Sequence, residues 1–153
     1  MKIRLEPVTV ASRAAVERLE TAPGQEGFVE SVAECLAEAD RRRCWRPVGV
    51  YDGDALIGFA MYGFFWEYLP FGRLWLDRLL IDRRFQGRGY GRAALAALLE
   101  RLERLEREYH KKRIYLSVVE ANRPAAALYE SFGFRFTGDR DTHGERVMCL
   151  RTR

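Results

Sequence analysis

Long hydrophobic runs are missing from this chain of 153 residues. No apolar segment approaches the roughly 20 residues that a membrane-spanning helix needs, so we expect no membrane partner. The first ten residues, MKIRLEPVTV, also lack the apolar core of a signal peptide, which favours a cytoplasmic protein. Cysteine is scarce, and Cys35, Cys44 and Cys149 have neither an even count nor metal-ligand spacing. We expect free thiols in a reducing compartment, packed as small apolar side chains.

Histidine is nearly absent, with two residues in the whole chain. His143 lies near Asp139, Asp141 and Glu145, a grouping that could suggest a metal site. A turn that favours polar residues accounts for the same grouping. We therefore expect no metal.

A strong excess of one charge is also absent, since 26 Lys and Arg face 22 Asp and Glu, for a net charge of +4. Nucleic-acid binding typically needs a basic stripe with interleaved aromatic residues, and the sequence does not show one. We therefore expect no nucleic-acid partner. With 48% hydrophobic residues the chain can build a core, and its length fits one domain over residues 1–153.

The hydrophobic periodicity predicts an α+β domain with a mixed sheet, in the order β-α-α-β-β-β-α-β-α-β-β. Asp52-Gly53-Asp54 is typical of a hairpin turn, and Gly133 is typical of a helix end. The predicted strands are 3–8, 47–51, 55–65, 75–81, 113–119, 134–138 and 146–150. The predicted helices are 11–20, 28–43, 92–110 and 122–132.

The most informative stretch runs from Trp75 to Gly91, with the sequence WLDRLLIDRRFQGRGYG. An apolar strand is followed by a charged turn, a glycine-punctuated loop and the start of a helix. Glycines let the backbone approach a ligand closely, and the first amides of a helix attract anions. The stretch therefore predicts a phosphate or pyrophosphate site, although a tight strand-to-helix turn would give the same pattern. It has neither the Gly-Lys-Ser/Thr of a nucleotide triphosphate loop nor the G-x-G-x-x-G of a dinucleotide fingerprint.

The spacing Q-x-x-G-x-G, from Gln86 to Gly91, resembles the acetyl-coenzyme A loop of the GNAT superfamily of N-acetyltransferases. A second segment, Asn122 to Phe134, resembles the family's N-x-x-A-x-x-L-Y-x-x-x-G-F pattern. The two motifs lie in the family's order, and the resemblance covers essentially the whole chain. It is greatest to bacterial spermine/spermidine (diamine) acetyltransferases. The resemblance implies a mixed central β-sheet flanked by helices, with a splayed central strand pair.

The resemblance also implies a site for acetyl-CoA. The backbone of Leu79, Leu80 and Ile81 would pair with the pantetheine arm, and the amide near Leu80 would polarise the thioester carbonyl. Asn122 would contact the arm. The pyrophosphate would be held by Gln86, Gly87, Arg88, Gly89, Tyr90, Gly91 and Arg92.

Direct acyl transfer in a ternary complex, as the resemblance implies, needs no catalytic cysteine. Tyr129 is the expected general acid toward the leaving thiolate, although its spacing would also suit a packed aromatic side chain. Asp77 is the first candidate for the base, because it is a charge within an apolar strand; an ion pair with Arg78 would also explain it. Glu67 is the second candidate, and a water chain would make either role indirect.

The expected acceptor is a small-molecule amine, most specifically a polyamine, whose ammonium groups need carboxylates and aromatic faces. The net positive charge of the chain does not help to attract such a polycation. A protein N-terminus, a lysine, an amino acid or an aminoglycoside stays open as the acceptor, as do a non-catalytic acyl-CoA-binding module and a homodimer. A solvated acidic helix face would also explain the glutamates. The candidate acceptor residues are Glu26, Glu30, Glu34, Trp66, Glu67 and Tyr68.

Overall fold

The computed structural model describes residues 1–22, 31–65, 67–68, 72–109 and 113–152. Within these ranges, seven strands form one sheet and four α-helices pack against it. The strands are β1 Ile3–Pro7, β2 Trp45–Asp52, β3 Ala55–Phe65, β4 Arg73–Ile81, β5 Arg113–Val118, β6 Arg135–Arg140 and β7 Arg146–Arg151. The helices are α1 Arg13–Glu17, α2 Val32–Arg41, α3 Tyr90–Tyr109 and α4 Arg123–Ser131, with a short 3₁₀ helix at Arg83–Phe85. None of the described helices is both long and apolar enough to cross a membrane.

The strand order across the sheet is β1-β2-β3-β4-β5-β7-β6. Every neighbouring pair is antiparallel except β4 and β5, which run parallel. This arrangement confirms the predicted α+β fold with a mixed sheet.

The central pair, β4 and β5, separates soon after it forms. Leu74 pairs with Ile114 and Trp75 with Tyr115, and the ladder ends there. β4 continues for six more residues to Ile81, paired with β3 on one side and open on the side of β5. The splayed central pair is confirmed, and it leaves a wedge between the two strands.

The two faces of the sheet are covered by different helices, as the alternation along β3 shows. Phe59 and Met61 are buried in a cluster with residues of α1 and α2. Ala60 and Tyr62 are buried in a second cluster with the apolar stripe of α3. That stripe follows the helical period, and Leu98 on it is completely buried. The wedge therefore opens between two packed layers.

A β-bulge interrupts the pairing of β3 with β4 beside the wedge. Tyr62 pairs with Leu76 and Met61 pairs with Arg78, so Asp77 is the extra residue. A bulge bends its strand and redirects side chains, and bulges are frequent next to active sites. The bulge therefore explains how a charged residue, Asp77, is accommodated within an apolar strand.

Several predicted boundaries were wrong. α1 begins at Arg13 instead of 11, because Thr9 and Ser12 hydrogen-bond each other through backbone amides and hydroxyls before the helix starts. α3 begins at Tyr90 instead of 92, which places Tyr90 and Gly91 in the helix and shortens the loop. The charged turn after β4 is a 3₁₀ helix whose first turn is capped by Asp82. The predicted start of the second helix, at 28, lies outside the described residues.

Candidate active site

A cavity of about 300 Å³ lies at the open edge of β4, between the glycine loop and α4. Ten of the predicted site residues line it, and they come from three separate parts of the chain. Bringing them together requires the splay of β4 from β5, because a continuous ladder would fill this space. These residues are Leu79, Leu80, Ile81, Gln86, Gly87, Gly89, Tyr90, Gly91, Asn122 and Tyr129.

The loop before α3 has the backbone that its glycines predict. Gly87 has φ of 78° and Gly89 has φ of 85°, values that side chains with a Cβ rarely adopt. The first helical hydrogen bond runs from the amide of Ala93 to the carbonyl of Gly89. The amides of residues 90–92 precede that bond, so they form a positive helix terminus next to the cavity.

Side-chain hydrogen bonds brace the loop from both ends. Gln86 donates from Nε2 to the carbonyl of Ile81 at 2.9 Å, which joins the loop to the end of β4. Tyr90 donates its hydroxyl to Asp52 Oδ2 at 2.6 Å, across to the β2–β3 hairpin. This hydrogen bond raises the pKa of Tyr90 and, together with the Lys2 amide, lowers the pKa of Asp52. Gln86 and Tyr90 thus position the loop as well as lining the cavity.

Asp82 is a buried carboxylate, 2% exposed, at the start of the loop. Its oxygens accept hydrogen bonds from the amide of Glu20 at 3.0 Å, the amide of Arg84 at 3.0 Å and Nε of Arg84 at 2.7 Å. Burial alone would raise the pKa of Asp82, but these donors outweigh it and the pKa is lowered. Asp82 therefore ties the segment after α1, including the cavity residue Thr21, to the loop.

Tyr129 forms part of the cavity wall contributed by α4. Its ring packs edge-to-face against Phe134, with centroids 5.9 Å apart. Burial raises the pKa of Tyr129 to about 12, while the charge of Arg78 acts in the opposite direction. The phenol is therefore protonated at neutral pH, as a proton donor must be. Asn122 caps the same helix by accepting a hydrogen bond from the amide of Ala125 at 3.3 Å.

The two candidate bases differ in their surroundings. Asp77 is half-buried in the bulge, and it is not among the residues that line the cavity. Glu67 is exposed and accepts two hydrogen bonds from Arg42, at 2.9 and 3.0 Å. Neither carboxylate lines the cavity, so the choice between Asp77 and Glu67 stays a prediction.

The predicted acceptor residues are only partly described. Glu26, Glu30 and Trp66 lie outside the described residues. Glu34 lies in the first turn of α2, where the capping residue Ser31 accepts from the amide of Glu34 through Oγ and donates to its carboxylate, both at 3.1 Å. This capping box is a structural reason for a glutamate at position 34.

Tyr68 belongs to an aromatic group that holds an arginine. Its ring lies 5.7 Å from Trp75, and Trp75 lies 5.6 Å from Tyr115. The guanidinium of Arg73 sits 4.8 Å from the ring centre of Tyr68 and 4.2 Å from that of Tyr115. These faces can hold a cation, as predicted for an acceptor site, but in this structure an internal arginine stacks on them.

Arg88 and Arg92 are exposed and do not line the cavity. Arg88 lies 5.8 Å from the ring centre of Phe85, and Arg92 lies 5.4 Å from that of Phe132.

Five residues that line the cavity were not predicted from the sequence. Ala125 and Leu128 belong to the second motif and could have been found from it, whereas Thr21, Phe85 and Pro124 carried no such signal.

Sequence reasoning also gave no role to Glu145, which is half-buried just before β7. Burial and the neighbouring Asp141 raise the pKa of Glu145, and the charge of Arg78 lowers it. Asp141, His143 and Glu145 have potential metal donors within 4.8 Å of one another. The Asp141 carboxylate already accepts the amides of His143 and Glu145 at 2.9 Å each, which explains the grouping as a turn. The expected absence of a metal stays a prediction.

Comparison with known proteins identifies the class to which this fold and cavity belong. Residues 13–134 match the model of the acetyltransferase (GNAT) family, and the chain belongs to that family. The prediction of an N-acetyltransferase is thereby confirmed. The chain is 45% identical, over 97% of its own length and 97% of the relative's, to the spermine/spermidine N(1)-acetyltransferase of Bacillus subtilis.

Solved structures show the same fold. An acetyltransferase from Thermus thermophilus superposes with a TM-score of 0.76 and 22% identity, covering 99% of this chain and 97% of that one. An N-acetyltransferase from Thermoplasma acidophilum, solved in complex with coenzyme A, has a TM-score of 0.66 and 15% identity, covering 99% of both chains. At these identities the similarity establishes the fold.

Proposed function

We propose that this protein transfers the acetyl group of acetyl-CoA to a primary amine of a small polyamine such as spermidine or spermine. The observation that carries the transfer is the open edge of β4, which leads directly into the glycine loop and faces Tyr129. The acceptor class rests on the 45% identity to the Bacillus subtilis spermine/spermidine enzyme. The reaction takes place within one domain of residues 1–153.

The residues of the cavity fit acetyl-CoA in two respects. The edge of β4 that faces β5, where the cavity residues Leu79, Leu80 and Ile81 lie, offers amides and carbonyls to an extended amide-containing arm. The positive φ angles of Gly87 and Gly89 turn the loop so that the terminus of α3 meets the cavity, where a pyrophosphate is favoured. The solved relative from Thermoplasma acidophilum contains coenzyme A, which supports the same assignment.

When bound, acetyl-CoA supplies an acetyl group activated as a thioester. The amide of Leu80 then donates to the carbonyl oxygen and stabilises the negative charge that develops there. Tyr129 donates its phenolic proton to the departing sulfur. The acceptor nitrogen forms the new bond to the carbonyl carbon as the carbon–sulfur bond breaks, so none of the three cysteines takes part.

Amine deprotonation is the other requirement of the reaction. An alkylammonium has a pKa near 10.4, so roughly one molecule in a thousand or fewer is neutral at pH 7. Asp77, directly or through water, is our first candidate for accepting that proton, because it lies in the bulge of β4, two residues before the cavity residue Leu79. Glu67, which is paired with Arg42, is the second candidate.

The experiment that tests this function measures free-thiol release from acetyl-CoA with a panel of acceptors. The panel contains spermidine, spermine, putrescine, a lysine peptide, an N-terminal peptide and an aminoglycoside. We expect turnover to concentrate on spermidine or spermine. We expect Tyr129→Phe to lower kcat about 10²-fold or more, as loss of a general acid does, and Asp77→Asn to lower kcat mainly at low pH.

Tyr51→Phe is the matched control, because Tyr51 is a half-buried tyrosine on β2 that stacks with Arg4 and lies outside the cavity lining. It should keep wild-type turnover. Turnover on a peptide or an aminoglycoside alone would retain the transfer chemistry and refute the polyamine acceptor. Binding of acetyl-CoA without turnover on any acceptor would argue for a non-catalytic acyl-CoA-binding role.

A further inference from the structure

Thr21 reaches the cavity from a part of the chain that neither family motif includes. Among the described residues that line the cavity, it alone comes from before β4. It follows α1, which ends at Glu17, and lies in neither a helix nor a strand. A half-buried residue in such a stretch keeps one position only if other contacts hold it there, and the contacts of its neighbour Glu20 do so.

Glu20 is fastened to the end of β4 by three contacts. Its amide donates to Asp82 Oδ2 at 3.0 Å, and its carbonyl accepts the amide of Arg83 at 2.8 Å. Its carboxylate also pairs with Arg83 at 3.1 Å, but both groups are exposed, so this ion pair contributes little. The preceding residue, Leu19, is buried in the cluster with α1 and α2. We call the contacts of Leu19 and Glu20 with their partners the Asp82 clamp.

The Asp82 clamp is fixed to the sheet at the open edge of β4. The amide of Asp82 donates to the carbonyl of Ile57 on β3 at 2.9 Å. Asp82 directly follows Ile81, which is the last residue of β4 and lines the cavity. Thr21, as the next residue after the clamp, therefore lies where the extended arm of acetyl-CoA is proposed to pair with β4.

The hydroxyl of Thr21 is available for a ligand, because it makes no hydrogen bond within the part of the chain that the structure describes. A half-buried polar group gains stability from a partner. A hydroxyl both donates and accepts, and so does each amide of the arm, whereas the oxygens of a pyrophosphate only accept. Position and chemistry therefore both favour the arm.

We propose that Thr21 binds acetyl-CoA through a hydrogen bond between its hydroxyl and an amide of the arm, and that Asp82 is the positioning residue that holds Thr21 in the cavity wall. This inference rests on the proposed function and adds two residues that neither family motif contains.

The test compares coenzyme A with adenosine 3′-phosphate 5′-diphosphate, the fragment that keeps the pyrophosphate and lacks the arm. Calorimetry gives both affinities without an acceptor, by displacement for the weaker ligand. Thr21→Val, which keeps the shape of the side chain, should lower the affinity for coenzyme A about three- to tenfold, as loss of one hydrogen bond does. The affinity for the fragment should not change. Thr21→Ser, which keeps the hydroxyl, should bind coenzyme A nearly as the wild type does.

Thr137→Val is the matched control, because Thr137 lies on β6 and outside the cavity lining. It should leave both affinities unchanged. Turnover gives a second readout, in which Thr21→Val should raise the KM for acetyl-CoA and retain kcat. A contact with the arm is equally strong in the ground state and the transition state, so its loss affects binding alone.

Asp82→Asn tests the positioning role through the ratio of the two affinities, coenzyme A over fragment. We expect this variant to lower the ratio as Thr21→Val does. The double variant should lower it no further, because both changes remove the same contact. Asp141→Asn is the control, since Asp141 also accepts two backbone amides, at 2.9 Å each, but lies outside the cavity lining. It should keep the wild-type ratio.

Equal losses for coenzyme A and the fragment, or no loss in Thr21→Val, would overturn the assignment of Thr21. Additive effects of Thr21→Val and Asp82→Asn on the ratio would overturn the role of Asp82. If no acceptor turns over while Thr21→Val weakens coenzyme A alone, the polyamine proposal fails and this inference stands. If polyamines turn over and Thr21→Val binds coenzyme A as the wild type does, this inference alone fails.

Discussion

Gly58→Ala should impair the site from the neighbouring strand, although Gly58 itself does not line the cavity. Gly58 on β3 pairs with Ile81, at the end of the open edge of β4. A Cβ added at Gly58 would lie 2.4 Å from the carbonyl oxygen of Leu80. Carbon contacts in proteins sit near 3.5 Å, so the strands must separate by about 1 Å. The obstacle is backbone, which cannot rotate away as a side chain can.

We expect this displacement to lower both the free energy of unfolding and kcat. Overpacking of this kind costs about 1–3 kcal/mol in the free energy of unfolding. Moving the Leu80 amide, our proposed donor to the thioester carbonyl, by about 1 Å should also lower kcat about 10²-fold, because such a donor needs that precision. Urea unfolding gives the first quantity, and thiol release from acetyl-CoA gives the second.

Gly63→Ala is the matched control for this prediction. Gly63 is also on β3, and its added Cβ would lie 2.6 Å from the carbonyl oxygen of Cys44. It pairs with Trp75, where β4 is still joined to β5. We expect a similar loss of stability with kcat retained. Equal kcat losses in the two variants, or an unchanged kcat in Gly58→Ala, would refute the reasoning.

Two further predictions concern the carboxylates that brace the loop. Asp82→Asn should reduce the free energy of unfolding by about 1–3 kcal/mol at pH 7. Because the folded-state pKa of Asp82 is lowered, this contribution is complete above its unfolded pKa near 3.9 and is lost as pH falls through the folded value. Urea midpoints of the two proteins should approach each other as the pH falls below the unfolded pKa, and a constant difference would contradict this. Asp52→Asn should let Tyr90 ionise at lower pH, because its hydrogen bond raises that pKa. Ultraviolet titration with Tyr90→Phe as the control measures this, and an unshifted curve would argue against it.

The sequence predicted the architecture because local pattern and global fold agree. Alternating strands, the stripe of α3 and the glycine loop each follow a regular period, and all of them are present in the structure. The errors lie at ends of elements. The first helix was predicted to begin at residue 11, but Thr9 and Ser12 bond to each other and the helix begins at Arg13, an outcome that helix propensity does not decide.

Site residues that belong to a sequence motif could be predicted. Those that depend on contacts between distant segments of the chain could not. Gln86 and Tyr129 belong to motifs, and the structure places both in the cavity wall. Asp82 looked like one charge in a polar turn, yet it is buried because the Glu20 amide reaches it from 62 residues away. The charges of Asp141 and Arg78 affect the pKa of Glu145, and no spacing in the sequence indicates that these three residues interact.

The splay between β4 and β5 also affects how the protein behaves before any ligand arrives. Beyond Trp75 and Tyr115, the ladder between two strands in the middle of the sheet is open across the wedge. Such edges are templates for other chains, and proteins usually confine them to the rim of a sheet. Here a small molecule that pairs along β4 would act as the protecting strand. Self-association of this protein during storage should then decrease as the concentration of its co-substrate rises.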